Sequence, residues 1–241
     1  MLTGILTTLG REAVRIVLPS WCDVCGNELP WRERAASCCR SCWDGLPRIR
    51  SAQCRSCAMP WSGETSGDLC IDCQIDPLPV GWTAAWGHYR DGLERLLHAF
   101  KFGRHDFLDD ALADLLLEAI ERRGDRDFDV VVPVPMHRSK ERRRGYNQAE
   151  LLAQQVSRKT RIACDGRLLK KRRERETQST LARSQRAANV RGAFSASPEV
   201  DGKSVLLIDD ICTTGETFRA CAAELVRAGA ARVCAAAVAK A

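Results

Sequence analysis

Nine of the thirteen cysteines in this chain fall between Trp21 and Gln74, and their spacing restricts the fold more than any other feature. Eight of them form four C-x-x-C pairs, which are Cys22/Cys25, Cys39/Cys42, Cys54/Cys57 and Cys70/Cys73. A C-x-x-C turn points two thiolates the same way, and two such turns complete a tetrahedral four-sulfur site that suits Zn²⁺. The spacing therefore predicts two successive structural zinc sites, one from the first two pairs and one from the last two.

A disulfide framework is the alternative interpretation of these cysteines. Disulfides need an oxidising compartment, and residues 1–20 lack the positively charged start of an export signal, so we favour zinc. The segment has too few apolar residues to fold around a core of its own, and metal binding would therefore fold it. Cys38 adjoins Cys39 and either thiol could be the ligand, although only Cys39 has the C-x-x-C spacing.

Patterning divides the 241 residues into three parts. We expect an amphipathic helix at residues 1–19 that docks on the body of the protein, with membrane-surface contact as the alternative. A double zinc ribbon is expected at residues 20–77. In residues 78–241, strand-like and helix-like segments alternate with short connections, which predicts a doubly wound parallel α/β sheet. Ligands of such sheets bind beyond the carboxyl ends of the strands.

Charge is unevenly distributed along the chain. The formal net charge is +6, yet residues 137–191 contain 17 Lys and Arg against 5 Asp and Glu. Such a stretch indicates a phosphate-bearing partner, with a solvated basic surface as the alternative. The 45% of apolar and 28% of charged residues exclude a disordered or fibrous protein. No window approaches the roughly 18 apolar residues of a membrane span. We expect a cytoplasmic protein, with peripheral contact at the inner face of the cell membrane as the alternative.

Residues 205–217 read VLLIDDICTTGET, in which a buried strand runs into Asp209 and Asp210 and then into a small-residue loop before a helix. The backbone N–H groups and threonine hydroxyls of such a loop can hold a monophosphate, and Gly215 has no Cβ to keep the anion away. The two carboxylates can accept hydrogen bonds from ribose hydroxyls or help to hold Mg²⁺. The motif predicts a site for a 5-phosphorylated ribose.

This stretch resembles the phosphoribosyl-pyrophosphate (PRPP) motif of type I phosphoribosyltransferases. Together with residues 131–153 (VVPVPMHRSKERRRGYNQAELLA), residues 173–194 (RERETQSTLARSQRAANVRGAF) and the cysteine pairs, it resembles the ComF family of competence-related proteins. The resemblance spans essentially the whole chain. It implies a type I phosphoribosyltransferase fold similar to that of amidophosphoribosyltransferases, and a role in the uptake of single-stranded DNA during natural transformation.

The resemblance also implies roles for particular residues. Asp209 and Asp210 would be the catalytic pair that binds the ribose hydroxyls of PRPP. The 5-phosphate loop would comprise Thr213, Thr214, Gly215 and Thr217. The pyrophosphate loop would comprise Met136, His137 and Arg138, with Mg²⁺ on the pyrophosphate. Further contacts to substrate or to DNA phosphates would come from Lys101, Arg142, Arg143, Arg144, Asn147 and Gln148. The family's mobile loop, which would close over the site, would include Gln178, Arg183, Arg186 and Asn189.

Three functions are compatible with these features. The first is a binding module that takes PRPP or a nucleotide while its basic face handles single-stranded DNA, together with the competence helicase machinery. The second is a phosphoribosyltransferase with a base or an amine as acceptor, although nothing in the sequence specifies that acceptor. The third is a transcription regulator, which we rank last because no helix-turn-helix pattern is evident.

Overall fold

The computed structural model of the chain describes residues 21–29, 37–61, 67–102, 108–172 and 192–241. The helix expected at residues 1–19 lies outside the described residues. So do four residues of the expected mobile loop, Gln178, Arg183, Arg186 and Asn189.

A five-stranded parallel sheet organises the C-terminal part of the chain. Its strands are β1 (Thr83–His88), β2 (Val130–Pro133), β3 (Ala163–Cys164), β6 (Ser204–Cys212) and β7 (Arg232–Lys240). They are arranged side by side in the order β1-β7-β6-β2-β3. A separate antiparallel hairpin consists of β4 (Leu169–Lys171) and β5 (Phe194–Ala196). The sheet is the parallel one that the sequence predicts.

Helices cover both faces of this sheet. The described residues form α1 (Arg40–Asp44), α2 (Ile71–Ile75), α3 (Asp91–Phe102), α4 (Asp109–Glu121), α5 (Arg138–Arg144), α6 (Gln148–Thr160) and α7 (Glu216–Arg227). Helices α3, α4 and α6 pack with Leu206 and Ile208 on one face, whereas α7 packs with Val205 and Leu207 on the other. Each of these fully buried side chains stabilises the fold by about 2 kcal/mol. None of the helices in the described ranges combines the length and the hydropathy that a bilayer crossing needs.

The alternation of side chains along β6 explains why the sheet has an apolar core on each face. Successive side chains of a strand point to opposite faces, so the apolar run of β6 supplies both cores. The adjacent β7 is made largely of small residues, and Ala235, Ala236 and Ala237 are fully buried. A parallel sheet that is covered on both faces needs such continuous apolar strands, and small side chains allow the helices to approach closely.

The two cysteine-rich modules lie on opposite sides of the sheet. We call the described part of residues 21–45 the first ribbon and that of residues 52–76 the second ribbon. The cysteines of the first ribbon join the core on the α3 side, and those of the second join the core on the α7 side. The connecting residues cover the β1 edge, where His88 N–H donates to the Pro47 carbonyl at 2.8 Å and Ile49 N–H donates to the Trp86 carbonyl at 3.0 Å. This pairing protects an edge that would otherwise be open to other strands.

Candidate functional site: a phosphate loop, an acidic pair and two four-cysteine sites

The predicted cysteine groupings are present as two compact clusters. In each cluster the four sulfur atoms lie within 4.8 Å of one another; the clusters are Cys22, Cys25, Cys39 and Cys42, and Cys54, Cys57, Cys70 and Cys73. A tetrahedral site with Zn–S bonds of about 2.3 Å separates its sulfurs by roughly 3.8 Å. The structure gives 3.9 Å between the Sγ atoms of Cys25 and Cys39 and 3.7 Å between those of Cys57 and Cys70. Both clusters therefore fit a structural zinc ion.

The two clusters are built alike. The N–H of Cys39 donates to the Cys22 sulfur at 3.4 Å, and the N–H of Cys70 donates to the Cys54 sulfur at 3.3 Å. Although burial opposes it, donation from backbone N–H groups lowers the pKa of the Cys22 thiol to about 6, which favours the thiolate that a metal requires. Cys38 lies outside the cluster, and burial raises the pKa of its thiol. The geometry therefore favours Cys39 over Cys38 as the ligand.

The acidic pair lies near the end of strand β6, which continues two residues further to Cys212, and it contacts Lys101. Lys101 Nζ lies 2.9 Å from Asp210 Oδ2, and Asp210 is only 6% exposed. Burial, followed by the neighbouring Asp210 charge, raises the pKa of the Asp209 carboxyl group well above its ordinary value. The acidic pair thus combines a carboxyl group whose ionisation is disfavoured with one that is paired to a lysine.

The loop at residues 213–217, which we call the phosphate loop, connects β6 to α7. Gly215 is the N-cap of α7 with φ 87°, a left-handed conformation that favours glycine, and it offers no side chain to the first helical turn. The first-turn N–H groups of a helix have no intrahelical acceptor. Thr213, Thr214 and Thr217 are exposed around this turn. The Glu216 N–H donates to Thr214 Oγ1 at 3.5 Å. The other first-turn N–H groups and the threonine hydroxyls can donate to an external anion, with the positive end of a helix dipole behind them.

A buried lysine that the sequence analysis did not single out fixes this loop. Lys240, at the end of β7, is 5% exposed, and its ammonium group donates to the backbone carbonyls of Thr213 and Ala241. The contact places a positive charge beneath the phosphate loop. A charged residue that ends an otherwise apolar strand was the sequence signal for it.

The predicted pyrophosphate loop follows the adjacent strand β2. Met136, His137 and Arg138 line a cleft of about 1000 Å³, whose opposite wall is the β4–β5 hairpin. His137 serves as the N-cap of α5, and its Nδ1 accepts from the Ser139 N–H at 3.3 Å. Val134 N–H donates to the Ile208 carbonyl at 2.9 Å, so the chain segments that enter the two loops lie side by side.

The RRRGYNQ element mainly secures the end of helix α3. Gln148 Nε2 donates to the Lys101 carbonyl at 3.3 Å, and the Tyr146 hydroxyl donates to the Phe100 carbonyl. Arg144 donates to Gln148 Oε1 at 2.6 Å and stacks 4.8 Å from the Phe102 ring centre. These contacts hold Lys101 in reach of Asp210.

Of the other residues of this element, Asn147 is buried and stabilises the fold, whereas Arg142 and Arg143 are exposed. Asn147 is buried, caps α6 by accepting from the Ala149 N–H at 3.2 Å, and donates to the Val134 carbonyl at 3.1 Å. Arg142 and Arg143 are exposed on α5. The structure thus brings Lys101 to the acidic pair and leaves two of the three arginines accessible to a partner.

The cleft wall adds cations that the sequence analysis treated only as a basic run. Arg167, Lys170 and Arg172 are exposed on or beside β4 and line the cleft. The acidic residues Glu141, Glu150 and Glu199 also line it, so the cleft has a mixed but predominantly basic lining. A hairpin folded back over the sheet brings these cations opposite Arg138.

Comparison with known proteins agrees with this architecture. A family model described as a phosphoribosyl transferase domain matches residues 105–241, and one described as a double zinc ribbon domain matches residues 13–74. The DNA utilization protein YhgH of Escherichia coli (strain K12) is 30% identical over 223 residues, which cover 90% of this chain and 96% of the relative. Competence protein F of Haemophilus influenzae is 31% identical over 199 residues, covering 75% and 86%. Competence protein ComFC of Bacillus subtilis is 28% identical over 198 residues, covering 79% and 78%.

Two solved structures show more distant similarity at 24% identity. A glutamine PRPP amidotransferase from B. subtilis, complexed with ADP and GMP, matches with a TM-score of 0.34, and an allosteric regulatory enzyme of purine biosynthesis matches with 0.35. Each match covers 53% of this chain and 24% of the solved chain. The family match over more than half of the chain and the relatives aligned over most of it lead to one assignment: the chain belongs to the ComF family, with a phosphoribosyltransferase domain preceded by a double zinc ribbon.

Proposed function

We propose that the chain binds PRPP or a related ribose 5-phosphate at the carboxyl end of β6, and that it handles single-stranded DNA during natural competence. The observation that carries the proposal is the juxtaposition at one strand end of the acidic pair and a glycine-capped helix N-terminus. A phosphorylated sugar has hydroxyls that can bind the acidic pair and a phosphate that can bind the helix N-terminus. The DNA role is supported by the names of the relatives, which refer to competence and DNA utilization.

The phosphate loop would hold the 5-phosphate. Its first-turn N–H groups and the hydroxyls of Thr213, Thr214 and Thr217 would donate to the phosphoryl oxygens. The buried ammonium of Lys240 beneath the loop would add to the attraction. The left-handed φ of Gly215 keeps the backbone in the shape that this donation requires.

The acidic pair would bind the ribose hydroxyls. Both carboxyl groups have oxygens that can accept from the ribose hydroxyls, and Lys101 balances the charge of Asp210. Arg138 in the loop after β2 would contact the pyrophosphate, and Mg²⁺ would supply further charge compensation on those oxygens.

The exposed cations would bind a DNA backbone. Arg142 and Arg143 on α5, with Lys170 and Arg172 across the cleft, present positive charge on neighbouring surfaces. Phosphate contacts of this kind provide most of the affinity for single strands and make it steeply dependent on salt.

A second candidate function, transfer of the phosphoribosyl group to a base or an amine, is favoured by the cleft of about 1000 Å³ beside the predicted pyrophosphate loop. Such a volume has room for an acceptor. The acceptor nitrogen would attack the anomeric carbon as the bond to pyrophosphate breaks. A PRPP consumption assay across candidate bases and amines tests this activity, and release of pyrophosphate only with an acceptor would support it.

A ligand screen by thermal shift tests the binding function. PRPP with Mg²⁺ and ribose 5-phosphate are expected to raise the melting temperature of the wild type, and Asp209→Asn and Asp210→Asn are expected to remove that shift. Asp44→Asn, a change at an exposed helix residue paired with Arg40, is the matched control and should keep it. A wild type that does not respond to either ligand would contradict the proposal.

A further inference from the structure

Leu78, two residues after the second ribbon, contacts the phosphate loop directly. A Cβ added to Gly215 would lie 3.0 Å from Leu78 Cδ2, so the Leu78 side chain packs against the loop at its glycine. Leu78 is itself buried, and its N–H donates to the Ser56 hydroxyl at 2.8 Å inside the Cys54–Cys57 turn. A single residue therefore connects a metal-binding turn of the second ribbon to the candidate phosphate site.

A second connection runs through Arg219, which lies in the first turn of α7. Its guanidinium donates to the Asp76 carboxylate at 3.1 Å, to the Asp76 carbonyl at 2.9 Å and to the Pro77 carbonyl at 2.9 Å. The Arg219 N–H donates to the Gly215 carbonyl at 2.8 Å. These hydrogen bonds connect the start of α7 to the last residue of the second ribbon, Asp76, and to Pro77, which follows it.

A third contact lies at the end of β6, just before the phosphate loop. The Cys212 thiol donates to the Cys57 carbonyl at 3.8 Å. Cys212, Cys57 and Cys73 belong to the same apolar cluster as Leu78. The second ribbon thus supports the strand end, the loop and the helix start.

The first ribbon is placed differently. Val24 packs against Gly92 at the start of α3, and Arg95 donates to the Val24 carbonyl. Its buried cysteines belong to the core on the other face of the sheet. Within the described ranges, none of its hydrogen bonds or apolar contacts reaches residues 213–217.

We infer that Leu78 and Arg219 are positioning residues through which the second ribbon sets the shape of the phosphate loop, so that metal at Cys54, Cys57, Cys70 and Cys73 is coupled to phosphate binding. The inference rests on the proposed function of the loop. Metal folds such a ribbon. Without it, residues 76–78 lose their fixed position, and the loop has to be ordered by the ligand itself. Coupling between two binding sites is reciprocal, so a ligand on the loop raises the zinc affinity of the second ribbon but not of the first.

Two matched cysteine substitutions distinguish the effect of metal in the first ribbon from that of metal in the second. Cys39 and Cys70 are equivalent residues, since each is the N-cap of the short helix in its ribbon and donates to the first cysteine. In the full chain, Cys39→Ser and Cys70→Ser should each reduce the zinc content from two ions to one. Affinity for ribose 5-phosphate should fall at least tenfold in Cys70→Ser and less than twofold in Cys39→Ser. Equal affinities in the two variants would overturn the inference.

Variants that keep both metal sites guard against simple misfolding. Arg219→Gln and Leu78→Ala should retain two zinc ions, and their affinity for ribose 5-phosphate should be at least fivefold lower than that of the wild type. Leu78→Met, which keeps a large apolar side chain, should bind ribose 5-phosphate as the wild type does. In the wild type at equilibrium, ribose 5-phosphate should raise the concentration of a coloured chelator that is needed to remove one of the two zinc ions. A shift for both ions or for neither would overturn the inference. A wild type that binds no ribose 5-phosphate would instead remove the proposed function, and the inference with it.

Discussion

Lys101 Nζ lies 2.9 Å from Asp210 Oδ2 at the end of strand β6, and the two side chains are only 22% and 8% exposed. Two adjacent carboxylates at a buried strand end repel each other, and the chain supplies its own cation to relieve that repulsion. Helix α3 brings the lysine there because Tyr146 and Gln148 bond the carbonyls of Phe100 and Lys101. The acidic pair therefore belongs to a network that is organised before any ligand binds.

Removing this lysine should destabilise the protein. In Lys101→Met the Asp210 charge keeps its buried position without a partner, and we expect a loss of about 2 kcal/mol in the free energy of unfolding. The double variant Lys101→Met/Asp210→Asn should recover at least half of that loss. Chemical denaturation measures both. Lys159→Met, which breaks pairs with the exposed Asp110 and Asp114, should cost under about 1 kcal/mol.

The raised pKa of Asp209 predicts how stability changes with pH. Its ordinary value is 3.8, and the folded value is well above it. The stability that this difference contributes is complete below about pH 3.8 and is lost as the pH rises through the folded pKa. Asp209→Asn has no charge to bury, so it should match the wild type near pH 4 and be more stable at pH 8. Each unit of pKa elevation corresponds to about 1.4 kcal/mol.

Chemical denaturation at several pH values measures the difference in stability between Asp209→Asn and the wild type. Both proteins contain the same cysteines, so the titration of the zinc ligands cancels in this difference. The same substitution should weaken PRPP binding, so gained stability and lost affinity should occur together. If the stability difference between the two proteins is the same at pH 4 and pH 8, Asp209 does not titrate as the structure indicates.

Local patterns predicted much of this architecture. The apolar run of residues 205–208 indicated the buried strand that leads into the acidic pair. C-x-x-C spacing was enough to pair the cysteines within each cluster. The acidic pair and its glycine loop are contiguous, so no tertiary information was needed to place them together.

Contacts between distant residues were not predictable in the same way. Arg219 bonds Asp76 across 143 residues, and nothing near either residue in the sequence indicates the other. The three arginines of residues 142–144 look equivalent in sequence, yet only Arg144 turns inward to Gln148 and Phe102. Which arginine turns inward depends on where α3 ends, and that is set by packing between elements.

The zinc count should distinguish the two adjacent cysteines. Cys39 belongs to the four-sulfur cluster and Cys38 does not. We therefore expect Cys38→Ala to retain two zinc ions per chain and Cys39→Ala to retain one, as measured by metal analysis of the purified protein. Removing Cys38 leaves a small cavity at a buried position, which costs stability but no metal. Loss of zinc from Cys38→Ala with retention in Cys39→Ala would reverse the ligand assignment.

The arginines of α5 should separate stability from DNA binding. Arg142 and Arg143 are exposed, so replacing either with alanine should leave the free energy of unfolding within about 0.5 kcal/mol. Arg144→Ala should cost about 1–2 kcal/mol, because it removes both the bond to Gln148 and the stacking on Phe102.

The exposed arginines Arg142 and Arg143, which contribute little to stability, should contribute to oligonucleotide binding. For a single-stranded probe, each of Arg142→Ala and Arg143→Ala should reduce the slope of log affinity against log salt concentration by about 1. Fluorescence anisotropy over a salt series measures the slope, and Arg40→Ala on the first ribbon is the control. Unchanged slopes in both α5 variants would show that α5 does not contact DNA phosphates, because each lost phosphate contact must reduce counterion release.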